Sequence, residues 1–356
     1  MTEGADYRKV VGKGDLYNMS EAIIVIGLNW LGDVVMSLPA ISAACAAGKE
    51  VHIVTRPHLA DVYWLSDLPV VVHSIPTNDN PLKVIKAMKP LSRIFAGAAV
   101  SLPDSFRGAV LARLCKTGNA IGFDVQCRGL FLNKRVKKPA DFKLMHESKL
   151  HYMLMREAIP ELPETMPDLP HCFVSKEDWV KTASKFNIDA EKEFILLAPG
   201  AAFGAAKRWP PEYFAELTKM IAEKYSDIQI VVTGGEKETA ITKEISEKSG
   251  VSLIDLAGKT NLEELACLLS RAKAMVANDS GTMHLAALYR TPTVVPVGPT
   301  DMKRTGALNE NFVPVIASNC EKIPCRERVC PLKTDACMKS LKPPLVFHFL
   351  EELIAG

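Results

Sequence analysis

Nowhere in the 356-residue sequence does an apolar run approach the ~20 residues that a membrane-spanning helix needs. The first apolar stretch, 22–28, is short and soon meets Asn29 and Asp33, so it does not read as a signal peptide. The expectation is a cytoplasmic protein. Charge of one sign is equally scarce: 43 Lys and Arg against 41 Asp and Glu leave a net charge of +2, which excludes a supercharged nucleic-acid binder. With 48% hydrophobic and 24% charged residues, wholesale disorder and collagen-like repeats are excluded as well. No G-x-G-x-x-G follows a predicted strand and no G-x-x-x-x-G-K-[ST] occurs, so dinucleotide dehydrogenases and P-loop kinases lack support. H-E-x-x-H is missing, and so is any D-x-D pair that would offer the simplest acidic site for a metal and a diphosphate. Nine cysteines, an odd number without a secretion signal, argue against a full disulfide framework.

What is present is a repeated strand–helix alternation. Residues 1–20 are polar, show no periodicity, and read as a loose N-terminal extension. From residue 21 on, continuous apolar β-branched runs such as 22–26 and 51–55 are what strands buried on both faces of a parallel sheet require. Further strands are predicted near 70–73, 99–102 and 119–123, with helices over 33–47 and 106–115. Pro160, Pro163, Pro167 and Pro170 then crowd a segment that can be neither helix nor central strand. The alternation resumes with strands at 194–197, 229–233, 274–277 and 293–297. Helices are predicted over 210–225, 237–248, 262–271 and 282–289. A length prior of roughly 150 residues per domain agrees with two units. The predicted organisation is an α/β protein of two doubly wound domains, 21–175 and 176–342, followed by an apolar helix within 343–356.

Open α/β sheets bind ligands beyond the carboxyl ends of their strands. Four polar or Gly-rich segments fall at such ends: 29–33, 199–207, 234–238 and 278–284. The last, N-D-S-G-T-M-H, follows a strand and opens a helix, where free N–H groups and the helix dipole favour an anion; an ordinary N-cap by Asp279 or Ser280 fits the spacing as well. Lys207 and Arg208, after a Gly-rich turn, suit a phosphate or a plain solvated surface.

Two clusters stand apart. Between Arg107 and Lys149 there are ten Lys and Arg against three Asp and Glu, a local charge of +7 suited to an acidic partner. Cys320, Cys325, Cys330 and Cys337 lie close in sequence without a tight C-x2-C knuckle; free thiols, a metal site and disulfides all remain open for them.

The strings IIVIGLNWLGDVVMSLPA (23–40), SLPDSFRGAVLARL (101–114), LAPGAAFGAAKRWPPEYFAEL (197–217) and LAGKTNLEELACLLSRAKAMVANDSGTMHLAA (256–287) together resemble the bacterial heptosyltransferases of glycosyltransferase family 9, and VGPTD (297–301) continues the likeness. They span both halves of the chain in the family's order. A-K-R-W-P and N-D-S-G-x-M-H are most similar to the members that add the second heptose of the lipopolysaccharide inner core. The resemblance implies a GT-B fold, in which two Rossmann-like domains face an interdomain cleft, and a final helix that crosses back to the first domain. It implies an inverting transfer of heptose from ADP-L-glycero-D-manno-heptose, held by the second domain, to a lipopolysaccharide inner-core acceptor, held by the first. No metal or other cofactor is expected, nor any nucleic-acid partner, and peripheral contact with the cytoplasmic face of the inner membrane fits a membrane-anchored acceptor. By the same likeness Asp33 matches the catalytic base, and Lys207 the lysine beside the donor's diphosphate and sugar. Asp279 matches the carboxylate that holds sugar hydroxyls, while Ser280, Gly281 and Thr282 offer N–H groups to the diphosphate and His284 contacts phosphate. Glu236 would hold the ribose, with Glu238 as the competing choice. Gly27 stands where many relatives carry an arginine, so no acceptor contact is carried over to it. The other readings are a family member with a different acceptor and a sugar-nucleotide-binding relative without turnover.

Overall fold

The apolar runs become two separate parallel sheets. The computed structural model describes residues 22–76 and 81–355 and divides into two units, one ending at Pro170 and one beginning at His171. The predicted extension, 1–20, lies outside the described residues.

The first unit contains β1 (Ala22–Ile26), α1 (Leu31–Ala46), β2 (Val51–Thr55), α2 (Pro57–Leu65), β3 (Val70–Ser74) and α3 (Pro81–Met88). It continues with β4 (Ala96–Ser101), α4 (Phe106–Leu114), β5 (Asn119–Phe123), β6 (Lys134–Val136) and α5 (Glu147–Ala158). Its strands lie in the order β3-β2-β1-β4-β5-β6, all parallel.

The second unit contains α6 (Lys176–Lys185), β7 (Phe194–Ala198), α7 (Pro211–Lys224), β8 (Gln229–Val232), α8 (Thr239–Ser249), β9 (Ile254–Asp255) and α9 (Leu262–Arg271). Then come β10 (Ala274–Ala277), α10 (Gly281–Leu288), β11 (Thr293–Val297), α11 (Met302–Thr305), β12 (Phe312–Ile316), α12 (Ala336–Ser340) and α13 (Pro343–Ala355). The order β12-β11-β10-β7-β8-β9 is that of the first sheet, strand for strand. Each sheet therefore has one topological switch point, at β1/β4 and at β7/β10, and ligands gather there in doubly wound folds.

Burial explains why these runs became strands. Every residue of β1, β2, β7, β10 and β11 is buried, each large aliphatic side chain being worth ~1.5–3 kcal/mol. Helix α9 starts at a reciprocal cap: Glu264 N–H donates to Asn261 Oδ1 at 2.8 Å, and Asn261 N–H to Glu264 Oε2 at 3.0 Å. The sequence reading passes over β6, β9 and β12, and all three are at or beside sheet edges, where strands are short, polar or interrupted by proline. β12 carries Pro314, which an edge tolerates because no further strand needs its missing N–H.

The last helix, α13, packs on α7, β10 and β11 of the second unit. Val346, Phe347 and Leu350 are buried in that unit's core, and this apolar face is what holds the helix there.

Candidate functional site

In the second unit the chain leaves β7 through Pro199 and a Gly-rich loop, makes a single 3-10 turn at Ala205–Lys207, and enters α7 behind Pro210. From β10 it passes Asn278 and Asp279 directly into α10. These two exits flank the β7/β10 switch point, and Asn278 ties them together. Its backbone N–H donates to Ala198 O at 3.1 Å. Its side-chain Nδ2 donates to Pro199 O at 2.6 Å, and its Oδ1 accepts from Trp209 N–H at 2.9 Å. Trp209, itself buried, donates through Nε1 to Leu341 O at 2.7 Å. The sequence reading placed Asn278 in a ligand-binding segment without giving it a role; the pairing of its amide with two loops is a tertiary fact.

With both exits fixed, Lys207 Nζ meets Asp279 Oδ2 at 2.7 Å. The pair is largely shielded, with side-chain exposures of 16% and 6%. Lys207 Nζ also sits 4.8 Å from the centre of the Phe203 ring. Ser280 has the extended backbone of an N-cap but makes no side-chain capping bond, and Asp279 is engaged by Lys207. The ordinary N-cap reading of this segment therefore gives way to an ion pair beside a helix N-terminus that no side chain caps. Ser280, Gly281 and Thr282 are half-buried at that terminus, and His284 is buried one turn further along α10.

Glu236 and Glu238 separate clearly. Glu236 is exposed at the start of a 3-10 turn. The Glu238 carboxylate turns back, accepts from Gly235 N–H at 2.8 Å, and lies against Gly200 in the loop after β7. Of the two acids, Glu238 is the one brought to the strand exits.

In the first unit Asp33 lies in the opening turn of α1, half-buried. That helix begins two residues earlier than its sequence suggests. Trp30 occupies the N-cap without a side-chain bond, so Asp33 is inside the helix and is not its N-cap. Gly32 is inside α1, and Gly27 has no left-handed backbone. A side chain at Gly27 would lie 2.7 Å from Tyr63 Oη, which is why that position is bare. A pocket at the β1/β4 switch point is lined by Gly27, Asn29, Arg56, Ser105 and Arg107, among others.

The basic segment is less available than its charge suggests. Arg128 is fully buried, donating to Phe123 O at 2.8 Å, to Pro103 O, and to Asp104 Oδ1 at 3.2 Å. Lys138 shares Asp104, Lys134 pairs with Glu157 at 3.0 Å, and Arg135 stands 4.0 Å from Asp124. Four of its ten cations thus meet carboxylates of their own unit.

Cys320, Cys325, Cys330 and Cys337 line one small pocket together with Ala206 and Pro299. All four are free thiols. Backbone N–H groups hold the Cys330 thiol below its ordinary pKa, and burial pushes that of Cys337 up. Among the described residues no group of three or more His, Cys, Asp or Glu side chains is arranged to hold a metal ion, and no helix is long and apolar enough to cross a membrane.

Comparison with known proteins bears on the whole arrangement. Residues 84–335 match the model of glycosyltransferase family 9 (heptosyltransferase). Lipopolysaccharide heptosyltransferase 2 of Escherichia coli K12 is 30% identical over 301 residues, 81% of this chain and 85% of that protein. Lipooligosaccharide heptosyltransferase 2 of Haemophilus influenzae is 26% identical over 348 residues, 94% and 99% of the two chains. The solved structure of E. coli ADP-heptose lps heptosyltransferase II superposes with a TM-score of 0.78 at 24% identity, covering 94% of this chain and 98% of its own, which gives the two-unit architecture as the GT-B fold. With its two switch-point units and a match over most of its length, the chain belongs to glycosyltransferase family 9, the heptosyltransferases.

Proposed function

We propose that this glycosyltransferase moves L-glycero-D-manno-heptose from ADP-heptose to the inner core of lipopolysaccharide, adding the second heptose. The observation that carries the reading is the Lys207–Asp279 pair at the uncapped N-terminus of α10, on the β7/β10 switch point. The names of the curated relatives agree with it.

In this reading the second unit holds the donor. The N–H groups of Gly281 and Thr282, with the hydroxyls of Ser280 and Thr282, meet the diphosphate, and His284 supports it from the next turn. Lys207 bridges diphosphate and sugar, and Asp279 accepts from heptose hydroxyls. Glu238, turned toward the loop after β7, is better placed than Glu236 to take a ribose hydroxyl. The first unit holds the acceptor and supplies Asp33. The acceptor hydroxyl oxygen forms a bond to the anomeric carbon while the bond from that carbon to the diphosphate oxygen breaks. Asp33 takes the hydroxyl proton and ADP leaves, so one displacement inverts the anomeric centre. Charge that grows on the departing diphosphate meets fixed dipoles and an ammonium group, which need no reorganisation when the reaction occurs. Transfer without a divalent metal follows from that arrangement as part of the proposal, as does peripheral association with the membrane that anchors the acceptor.

The test is ADP release from ADP-heptose, with lipopolysaccharide truncated after its first heptose as acceptor, in the presence and absence of EDTA. Turnover with that acceptor, insensitive to EDTA, is expected. Turnover only with a heptose-free core would move the acceptor one step earlier. No turnover with either, despite ADP-heptose binding, would identify a non-catalytic relative.

A further inference from the structure

Phe203 gathers two cations. Lys207 Nζ lies 4.8 Å from its ring centre and the Arg328 guanidinium carbon 4.9 Å from the same centre. Arg328 comes from a distant part of the chain, the irregular segment 317–335 between β12 and α12. That segment is interlocked with the turn that carries Lys207. Ala206 N–H donates to Arg328 O at 3.1 Å, and a Cβ at Gly204 would fall 2.3 Å from the same oxygen, so the turn accepts only glycine there. A second anchor lies two residues back, where Arg326 N–H donates to Pro299 O at 2.8 Å and Arg326 Nη2 reaches Asp301 Oδ2 at 3.2 Å. A backbone held at both points places Arg328 over the Phe203 ring of the turn that carries Lys207.

The charges give this placement its meaning. Lys207 is already matched by Asp279, so together they present no net charge to a ligand. A nucleoside diphosphate brings more than one negative charge, and the neutral ion pair with a helix N-terminus does not balance it. A guanidinium is suited to the difference, because its fork of N–H donors can grip two phosphate oxygens while its face rests on an aromatic ring. We propose that Arg328 is a second diphosphate-binding cation, delivered by segment 317–335 to the Phe203–Lys207 turn. The inference rests on the reading of Lys207 and α10 as the donor site.

Calorimetric titration with ADP and with adenosine, on the full chain, tests it. Arg328→Ala is expected to weaken ADP by roughly tenfold while adenosine binds as before. Arg328→Lys should restore only part of the loss, since an ammonium lacks the fork. The slope of log Kd against log salt for ADP should flatten in the alanine variant. Lys207→Ala serves as the reference for the donor site itself. If Lys207→Ala weakens ADP and Arg328→Ala stays within twofold of the parent, this inference fails and the donor site stands. If neither variant changes ADP affinity, the donor-site reading falls and this inference with it. Equal losses for ADP and adenosine in Arg328→Ala would show a structural role and overturn the proposal. Arg328→Gln, which keeps most of the side chain's bulk over Phe203, provides the same readout should the alanine variant fold poorly.

Discussion

Lys207 Nζ lies 2.7 Å from Asp279 Oδ2, and this ion pair joins the turn after β7 to the start of α10 across the switch point of the second sheet. Neither residue could take its position alone. Lys207 is set by the 3-10 turn behind Phe203, and Asp279 by the amide of Asn278 immediately before it.

Breaking that pair should cost stability as well as activity. Lys207→Ala leaves a carboxylate with 6% side-chain exposure without its ammonium partner, a loss of about 3 kcal/mol. Thermal denaturation should show a lower Tm, and ADP-heptose affinity should fall with it. The double variant Lys207→Ala/Asp279→Ala removes the orphaned charge and should recover part of the Tm without recovering turnover. A single variant as stable as the parent would contradict the shielding of this pair.

Asp33→Asn separates a base from a structural carboxylate. Asp33 lies inside the first turn of α1, where replacement by Asn forfeits only a helix-dipole interaction of about 0.3–1 kcal/mol. If Asp33 accepts the acceptor's proton, kcat should drop by roughly 10²–10⁴-fold while donor affinity stays close to that of the parent. Turnover near that of the parent would remove Asp33 from the mechanism.

Arg128 is expected to behave as a core residue rather than as an acceptor contact. It is fully buried and donates to three carbonyls and to Asp104. Arg128→Ala should destabilise the first unit by about 3–5 kcal/mol, read from urea midpoints. If the variant folds normally and only the acceptor KM rises, the residue belongs to the binding surface after all.

Mild acid should weaken the first unit through His151, on α5 against α1. Burial pushes its pKa down from 6.5 to about 4, more strongly than its bond to the Met36 backbone raises it. The folded chain therefore keeps this histidine neutral where the unfolded chain already takes up a proton. Stability is at its full value above pH 6.5 and falls as the pH drops from there toward 4, by about 3 kcal/mol in all. Urea midpoints for His151→Gln should be flatter across that window. Equal slopes for variant and parent would show that other groups govern the acid limb.

Gly204→Ala probes the interlock without touching a charge. The new Cβ would lie 2.3 Å from Arg328 O, so the turn or segment 317–335 must shift. ADP affinity should fall several-fold and Tm by a few degrees. Unchanged values for both would mean that the two segments are not coupled.

Some of this was legible in the amino-acid order. Runs such as Ala22–Ile26 and Phe194–Ala198 could only be buried parallel strands, because their apolar faces need cover on both sides. The polar segments after β1, β7, β8 and β10 were readable because doubly wound folds leave such exits at strand ends. Other features were decided only in three dimensions. Arg128 and Lys138 share Asp104, which ties part of a basic run to a carboxylate of its own unit. Glu238 and Glu236 are told apart by the direction of one turn. The apolar face of α13 fits any exposed core equally well by sequence, and packing assigned it to the second unit. Arg328 reaches Phe203 over a long separation in the chain. Local order specifies periodicity, caps and turns, because those depend on near neighbours. Which distant charge stands beside which ring or carboxylate depends on how helices and loops pack on each sheet and where irregular segments are anchored, and no local pattern records that.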